Sequence, residues 1–132
     1  MKFLFDNWFA VREARALKEL LRPNHTVEHL RDKFSADSKM EDWVRALRSD
    51  GDGDWVLITG DHHPARSVHE CRAWRETGLT IFFLTRDWQN IPPLQQHSRL
   101  LAVLNKIVAH AKQRPASGFT ISARGKIRKL YA

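Results

Sequence analysis

The sequence predicts an α/β sandwich built around a mainly parallel sheet. Apolar runs with strand character alternate along the chain with segments of helical periodicity. The interior runs are apolar throughout, which is typical of strands covered by helices on both faces. Two of these runs, KFLFD at residues 2–6 and WVLITGD at residues 55–61, end on an aspartate. Ligand sites of open parallel sheets lie beyond the carboxyl ends of the strands, so these two ends are the first candidates for a site.

Each predicted element depends on the spacing of apolar residues and on Gly, Pro or Ser at its ends. In chain order the elements are a strand at 2–6, a helix at 8–21, a short strand at 25–30, a helix at 38–47, a strand at 55–60, a helix between Pro64 and Gly78, a strand at 79–84, a long helix at 93–114, and a basic tail at 118–132 that forms one strand or a hairpin turning at Arg124-Gly125. Ser38 and Glu41 have the spacing of a capping box at the start of their helix. We expect residues 1–132 to form a single domain.

The composition is that of a globular protein with a basic surface. The chain has 132 residues and a formal net charge of +7, which favours polyanionic partners such as RNA. A single cysteine, Cys71, cannot form an internal disulfide, and this fits a reducing compartment. The first ten residues do not resemble a signal peptide, and no apolar run is long enough to cross a bilayer. We therefore expect a cytoplasmic protein without a membrane partner.

Asp6 and Asp61 occupy equivalent positions at two strand ends, and we expect them to face one another across a crevice. Two carboxylates held together repel unless a cation shares the site. Their hard oxygen ligands select Mg²⁺ or Mn²⁺, which assist hydrolysis at phosphorus. The alternative is that each aspartate caps the helix that follows it, and the spacing alone does not choose between the two roles.

Five segments carry a resemblance to a known family: KFLFDNW at 2–8, VEHLRDKF at 27–34, EDWVRAL at 41–47, WVLITGDHHPAR at 55–66 and GLTIFFL at 78–84. In this order and at this spacing they resemble the PIN-like domains of the VapC toxin type, over about residues 2–90. The basic RGKIRKL at 124–130 is similar as well. The resemblance implies a three-layer PIN-like sandwich and a Mg²⁺- or Mn²⁺-dependent endoribonuclease. It also implies a toxin that is held in check by an antitoxin protein, and we leave a homodimer open.

The resemblance places Asp6 at the first acid of such domains and Asp61 at the acid after the central strand. It also matches Arg66 and Glu70 to a basic and an acidic position of the next segment. The chain departs from the family at Met40, where an acid is expected three residues before the Trp.

Asp37 and Asp42 are the candidates for the missing third metal ligand, whereas Glu41 is explained by capping. His62 and His63 stand where the family has a basic pair, and we expect them to contact phosphate beside Asp61 together with Arg66. In the tail, Arg124 and Lys126 are candidates for binding the RNA backbone or an acidic partner.

Two further signals have simpler explanations. His25 and His29 lack a third ligand and are interpreted as packing or surface residues. Asp87 follows the strand at 79–84 and is interpreted as a loop acid in preference to a further member of the acidic site.

Met40 keeps a rival function open: a degenerate PIN-like module that binds RNA or protein without cleavage. A receiver-like signalling domain is disfavoured, because the first strand ends in Asp6-Asn7 instead of an acidic pair.

Overall fold

Strands and helices alternate along the chain as the sequence predicts. The computed structural model describes residues 1–50, 55–60 and 68–131. The elements are β1 (Lys2–Phe5), α1 (Val11–Leu21), β2 (Thr26–His29), α2 (Leu30–Lys33), α3 (Met40–Ser49), β3 (Trp55–Thr59), α4 (Val68–Glu76), β4 (Thr80–Leu84), a 3₁₀ helix (Arg86–Asn90), α5 (Pro93–Gln113), β5 (Gly118–Ile121) and β6 (Ile127–Tyr131).

The strands form one six-stranded sheet in the order β2-β1-β3-β4-β5-β6. All neighbouring pairs from β2 to β5 are parallel, and only β6 runs antiparallel to β5. The predicted mainly parallel sheet is confirmed. The tail is a hairpin: Gly125 adopts a φ of +85° in its turn, and its N–H donates to Ser122 O at 2.8 Å.

Helices cover both faces of the sheet, because alternate strand residues point to opposite sides. On one face, Phe3, Val56 and Phe82 pack with residues of α1 and α5, which we call the α1–α5 layer. On the other face, Leu4, Leu57 and Ile81 pack with α3 and α4, the α3–α4 layer. The result is the three-layer α/β sandwich that the sequence predicts.

The longest helix, α5, has 21 residues. Its stripe of Leu100, Val103 and Ile107 is buried in the α1–α5 layer, and Pro93 stands in its first turn. Within the described part of the chain, no helix combines the length and the apolar character needed to cross a membrane.

Two helix starts differ from the prediction. The first helix begins at Val11 instead of Trp8, because Trp8 N–H and Phe9 N–H both donate to Asp6 in a turn. The helix predicted at 38–47 is α3, which begins at Met40 and has Lys39 as its N-cap in place of Ser38. Asp42, and not Glu41, returns to the N-cap and accepts the Lys39 backbone N–H at 3.4 Å.

The carboxylate of Asp87 ties the end of β4 to the β5–β6 turn. It accepts hydrogen bonds from the Thr85 hydroxyl and from Ala123 N–H, the latter at 3.1 Å. Burial by itself would raise the pKa of Asp87, but these bonds and the backbone N–H groups of Asp87 and Trp88 lower the pKa below its ordinary value of 3.8. The interpretation of Asp87 as a loop acid is wrong in one respect, because Asp87 lies in the first turn of the 3₁₀ helix. Its ionised form stabilises the β5–β6 turn through the bond from Ala123 N–H.

Because the folded pKa of Asp87 is depressed, its contribution to stability is present above the unfolded pKa and is lost as the pH falls through the folded value. We expect Asp87→Asn to lower the free energy of unfolding at neutral pH. The difference from the wild type should shrink in strongly acidic solution. Urea unfolding of both proteins from about pH 7 to about pH 3 measures this difference.

Glu41→Gln is the matched control, since it removes an exposed carboxylate at the start of α3. A difference between wild type and Asp87→Asn that stays constant over the whole pH range would contradict the role of the ionised Asp87.

Candidate active site

The chain changes direction across the sheet at the pair β1–β3. From β1 it passes through α1 to β2 on one side, whereas β3 leads through α4 to β4 on the other. The connections therefore diverge between β1 and β3, which leaves a crevice beyond their carboxyl ends. Asp6 is the first residue after β1, and it lies at this crevice.

The Asp6 carboxylate is held in place by its own loop and by the neighbouring strand. Its Oδ1 accepts the Trp8 backbone N–H at 3.1 Å, and its Oδ2 accepts the hydroxyl of Thr59. Its backbone N–H donates to Ile58 O of β3 at 3.4 Å. An ionised carboxylate only accepts hydrogen bonds, and both side-chain contacts match that state.

Asp6 does not cap the helix that follows it. The N-cap of α1 is Ala10, which makes no side-chain capping bond. The capping alternative is therefore wrong for this aspartate. The backbone turn at Asp6 instead separates β1 from α1 and leaves its carboxylate at the sheet edge.

Trp8 packs against the end of β3. A Cβ atom on Gly60 would lie 2.1 Å from Cγ of the Trp8 ring, so no side chain fits at residue 60. This close approach brings the loop after β1 against the residue that precedes Asp61. Asp61 itself lies outside the described residues.

His29 joins the end of β2 to the same loop. Its Nδ1 accepts the Arg31 N–H at 3.0 Å, and its Nε2 lies 2.8 Å from the carbonyl oxygen of Phe9. Since one ring nitrogen must accept and the other must donate, these partners specify the neutral ring with its hydrogen on Nε2. His29 is 1% exposed, and its interpretation as a packing residue is confirmed.

His25 lies at the amino edge of the sheet, in tilted contact with the Phe3 ring at 5.6 Å between centroids. Burial, the charge of the N-terminal ammonium group and the charge of Lys112 lower the pKa of His25. It is remote from the crevice, because Lys2 and Thr26, which begin β1 and β2, pair at that opposite edge.

Asp37 and Asp42 lie around the start of α3, and both are exposed. The Asp37 carboxylate accepts the Ser35 hydroxyl at 2.8 Å, in the turn before the helix, and Asp42 accepts the Lys39 N–H. Asp37 thus stands outside α3, because the helix does not begin early enough to include it. Their role as metal ligands stays a prediction.

Four predicted residues fall outside the described ranges: Asp61, His62, His63 and Arg66. Within those ranges, no three His, Cys, Asp or Glu side chains come together in a group that could hold a metal ion. The groups described at the crevice that could bind a metal ion are the Asp6 carboxylate and the Thr59 hydroxyl. Both are hard oxygen donors, and Mg²⁺ commonly takes only one or two protein carboxylates.

Arg124 and Lys126 are exposed in the β5–β6 turn. Because β5 is parallel to β1, β3 and β4, this turn lies at the carboxyl edge of the sheet, as Asp6 does. Three strand spacings of about 4.8 Å separate β5 from β1, so the two features are roughly 14 Å apart along the edge. The basic turn and the acidic crevice share one rim of the molecule.

Sequence reasoning missed the contacts that organise this crevice. Thr59 is the polar residue at the end of an otherwise apolar strand, directly before Gly60-Asp61, and this position is the signal that marks it. The packing of Trp8 on Gly60 and the bond from His29 to Phe9 have no local signal.

A family model described as a PIN-like domain matches residues 1–86 of the chain. The matched segment contains β1, β3 and the crevice between them. Searches of curated proteins and of solved structures give no significant match.

The hydrogen bond from Thr59 to Asp6 is testable by a double-mutant cycle. We expect Thr59→Val to lower the free energy of unfolding by about 1–2 kcal/mol, because the Asp6 carboxylate loses a buried donor. In an Asp6→Ala background the same substitution should cost measurably less. Urea unfolding of the four proteins gives the coupling energy.

Thr80→Val is the matched control, since Thr80 is a buried threonine at the amino end of β4, away from Asp6. Its effect should add to that of Asp6→Ala. Additive effects for Thr59 as well would show that its hydroxyl does not hold the carboxylate.

Proposed function

The chain belongs to the PIN-like domain family, and from this premise we propose that it is a metal-dependent endoribonuclease that hydrolyses phosphodiester bonds of RNA. One observation carries the proposal: Asp6 stands at the divergence of β1 and β3 and caps no helix. A buried threonine hydroxyl and a backbone N–H fix its carboxylate there. This arrangement supports a functional acid at the position where the family pattern requires one.

We assign Asp6 and Asp61 as the residues that hold Mg²⁺ or Mn²⁺, with Asp37 or Asp42 assisting. The carboxylate and hydroxyl oxygens at the crevice fit a hard divalent cation. When bound, such an ion polarises the phosphoryl group and neutralises the charge that develops on the leaving oxygen.

The residues of the chain itself position the reacting groups. Thr59 and the Trp8 N–H restrict the rotation of the Asp6 carboxylate, so its oxygens are oriented before substrate arrives. Trp8 packs on Gly60 and so holds the loop after β1 against the end of β3.

Basic residues are assigned to hold the RNA backbone. Arg124 and Lys126 extend from the rim that carries Asp6, and the net charge of +7 supports binding of a polyanion that the acids alone would repel. His62, His63 and Arg66 follow Asp61 in the chain and are assigned to phosphate contacts.

A second candidate function is a PIN-like module that binds RNA or a protein without cleavage. Met40 favours it, because the family places an acid at that position. The engagement of Asp42 with the Lys39 N–H favours it too, since a capping role explains this acid without a metal. The two candidates differ in whether the crevice takes up a divalent ion.

The finer assignment is a toxin of the VapC type, controlled by an antitoxin protein. It is supported by the order and spacing of the five motifs that resemble this type.

Asp6→Asn should lower the rate of Mg²⁺- or Mn²⁺-dependent RNA cleavage by more than about 100-fold, because one of the carboxylates assigned to the ion is lost. The melting temperature should stay close to that of the wild type, since an amide of the same shape can occupy the site. Cleavage of a labelled RNA measures the rate, and calorimetric titration with Mn²⁺ measures ion uptake.

Glu41→Gln serves as the control and should retain cleavage. If Asp6→Asn cleaves as fast as the wild type, the mechanism is excluded. If the wild type neither takes up Mn²⁺ nor cleaves RNA but still binds it, the second candidate function is correct.

The toxin assignment predicts that a small open reading frame beside the gene encodes an antitoxin. Co-expression of the two proteins should give a complex that survives gel filtration and suppresses cleavage. The absence of both effects would remove the toxin assignment and leave the nuclease assignment intact.

A further inference from the structure

A cleft of about 80 Å³ lies beside the Asp6 crevice, between the loop after β1 and the segment that joins α2 to α3. The residues that matter for its chemistry are Asn7, Arg31, Phe34, Ser35, Ser38 and Trp43. Asn7 follows Asp6 directly, so the cleft opens one residue away from the proposed catalytic acid. The proposed function gives no role to this cleft.

The cleft combines aromatic surfaces with polar groups that differ in hydrogen-bonding type. Phe34 is partly buried and Trp43 is 8% exposed, and both line the cleft. Two further lining residues are Asn7, whose side-chain amide can donate and accept, and Arg31, whose guanidinium can only donate. The hydroxyls of Ser35 and Ser38 complete the polar wall.

The hydrogen bonds of Ser35 and Ser38 have a defined direction. Ser35 Oγ donates to Asp37 at 2.8 Å and lies 2.9 Å from Ser38 Oγ. Because the single proton of Ser35 goes to Asp37, Ser38 must be the donor in the contact between the serines. Ser38 Oγ then presents only acceptor capacity, which suits an incoming N–H group.

Arg31 is the exposed cation of this cleft. Its backbone N–H is anchored on Nδ1 of the buried His29, which fixes the position of its main chain at the end of β2. Its guanidinium forms no ion pair with any other residue that the structure describes. The neighbouring Asp32, in contrast, is held by Arg15 through two hydrogen bonds of 3.0 and 2.8 Å.

We propose that this cleft is a subsite for an unpaired nucleobase of the RNA that is cut at Asp6. An inorganic anion would need cations and no aromatic surface. A base needs flat apolar surfaces for its faces and mixed donors and acceptors for its edge, and the cleft has both. The cleft is small, at about 80 Å³, so we expect it to receive the edge of a planar ring and to leave the sugar outside.

This inference rests on the proposed function for its substrate, but binding can be measured without cleavage. The ¹⁵N-labelled protein is titrated with the four 5′-ribonucleoside monophosphates and, as a probe without a base, with ribose 5-phosphate. At least one nucleotide should shift the amide signals of residues 30–38 and the indole signal of Trp43. Ribose 5-phosphate should leave these signals in place.

Arg31→Ala should weaken nucleotide binding by about tenfold, because a charged donor to the base edge is lost. Arg45→Ala is the matched control: Arg45 is an exposed arginine of α3 that does not line the cleft, and its loss changes the net charge equally. The Arg45→Ala variant should bind the nucleotide with the affinity of the wild type. Both side chains are exposed, and circular dichroism verifies that both variants fold.

The subsite is excluded if no nucleotide shifts the signals of residues 30–38, or if ribose 5-phosphate shifts them as strongly as the nucleotides do. Equal losses of affinity in Arg31→Ala and Arg45→Ala would also exclude it, since they indicate attraction by net charge alone. RNA cleavage by the same samples is scored separately. A protein that binds bases in this cleft but does not cut RNA keeps the subsite and loses the nuclease assignment, whereas cutting without base binding gives the reverse.

Discussion

The parallel pairing of β1 with β3 is the constraint on which both the core and the candidate site depend. Phe5 pairs with Ile58, so the first residue after β1 meets the last residue of β3: Asp6 lies beside Thr59. A slip of one residue would turn Phe3 and Phe5 away from the α1–α5 layer, because side chains alternate between the faces of a sheet. The apolar packing that fixes the register therefore also fixes the carboxylate, and the acid is aligned as a consequence of folding.

The fold class could be predicted from the sequence because its signals are local. A continuous apolar run such as WVLI predicts a strand that is covered on both faces, and the helical periodicity of α5 extends over 21 residues. The order of the strands across the sheet could not be predicted in this way. No local pattern indicates on which side of β1 the next strand will pair. The predicted start of α1 at Trp8 is wrong, because the backbone N–H groups of Trp8 and Phe9 bond to Asp6 in a turn. The apolar spacing alone does not distinguish this turn from the first turn of the helix.

The same distinction separates the predicted part of the site from the missed part. Asp6 can be predicted as a site residue because the end of a strand is recognisable from a few neighbouring residues. Its hydrogen-bond partner Thr59 cannot be predicted in this way, because it is 53 positions away in the chain. The spacing predicts that Glu41 accepts the N-cap backbone N–H, but Asp42 does so. The difference arises because the N-cap is Lys39 and not Ser38, which moves the accepting position one residue along the chain. The convergence of Asp61 on Asp6 stays a prediction, because residue 61 lies outside the described ranges.

The packing of α5 bears on how much of the chain is needed to make a PIN-like domain. The family match ends at residue 86, before α5 begins, yet α5 provides Leu100, Val103 and Ile107 to the core that contains Phe3 and Phe82. A fragment confined to the matched segment would present those phenylalanines to water and would aggregate. The apolar cover of this sheet face therefore comes from a helix outside the matched segment, and the core of this domain extends beyond the residues that the family pattern describes.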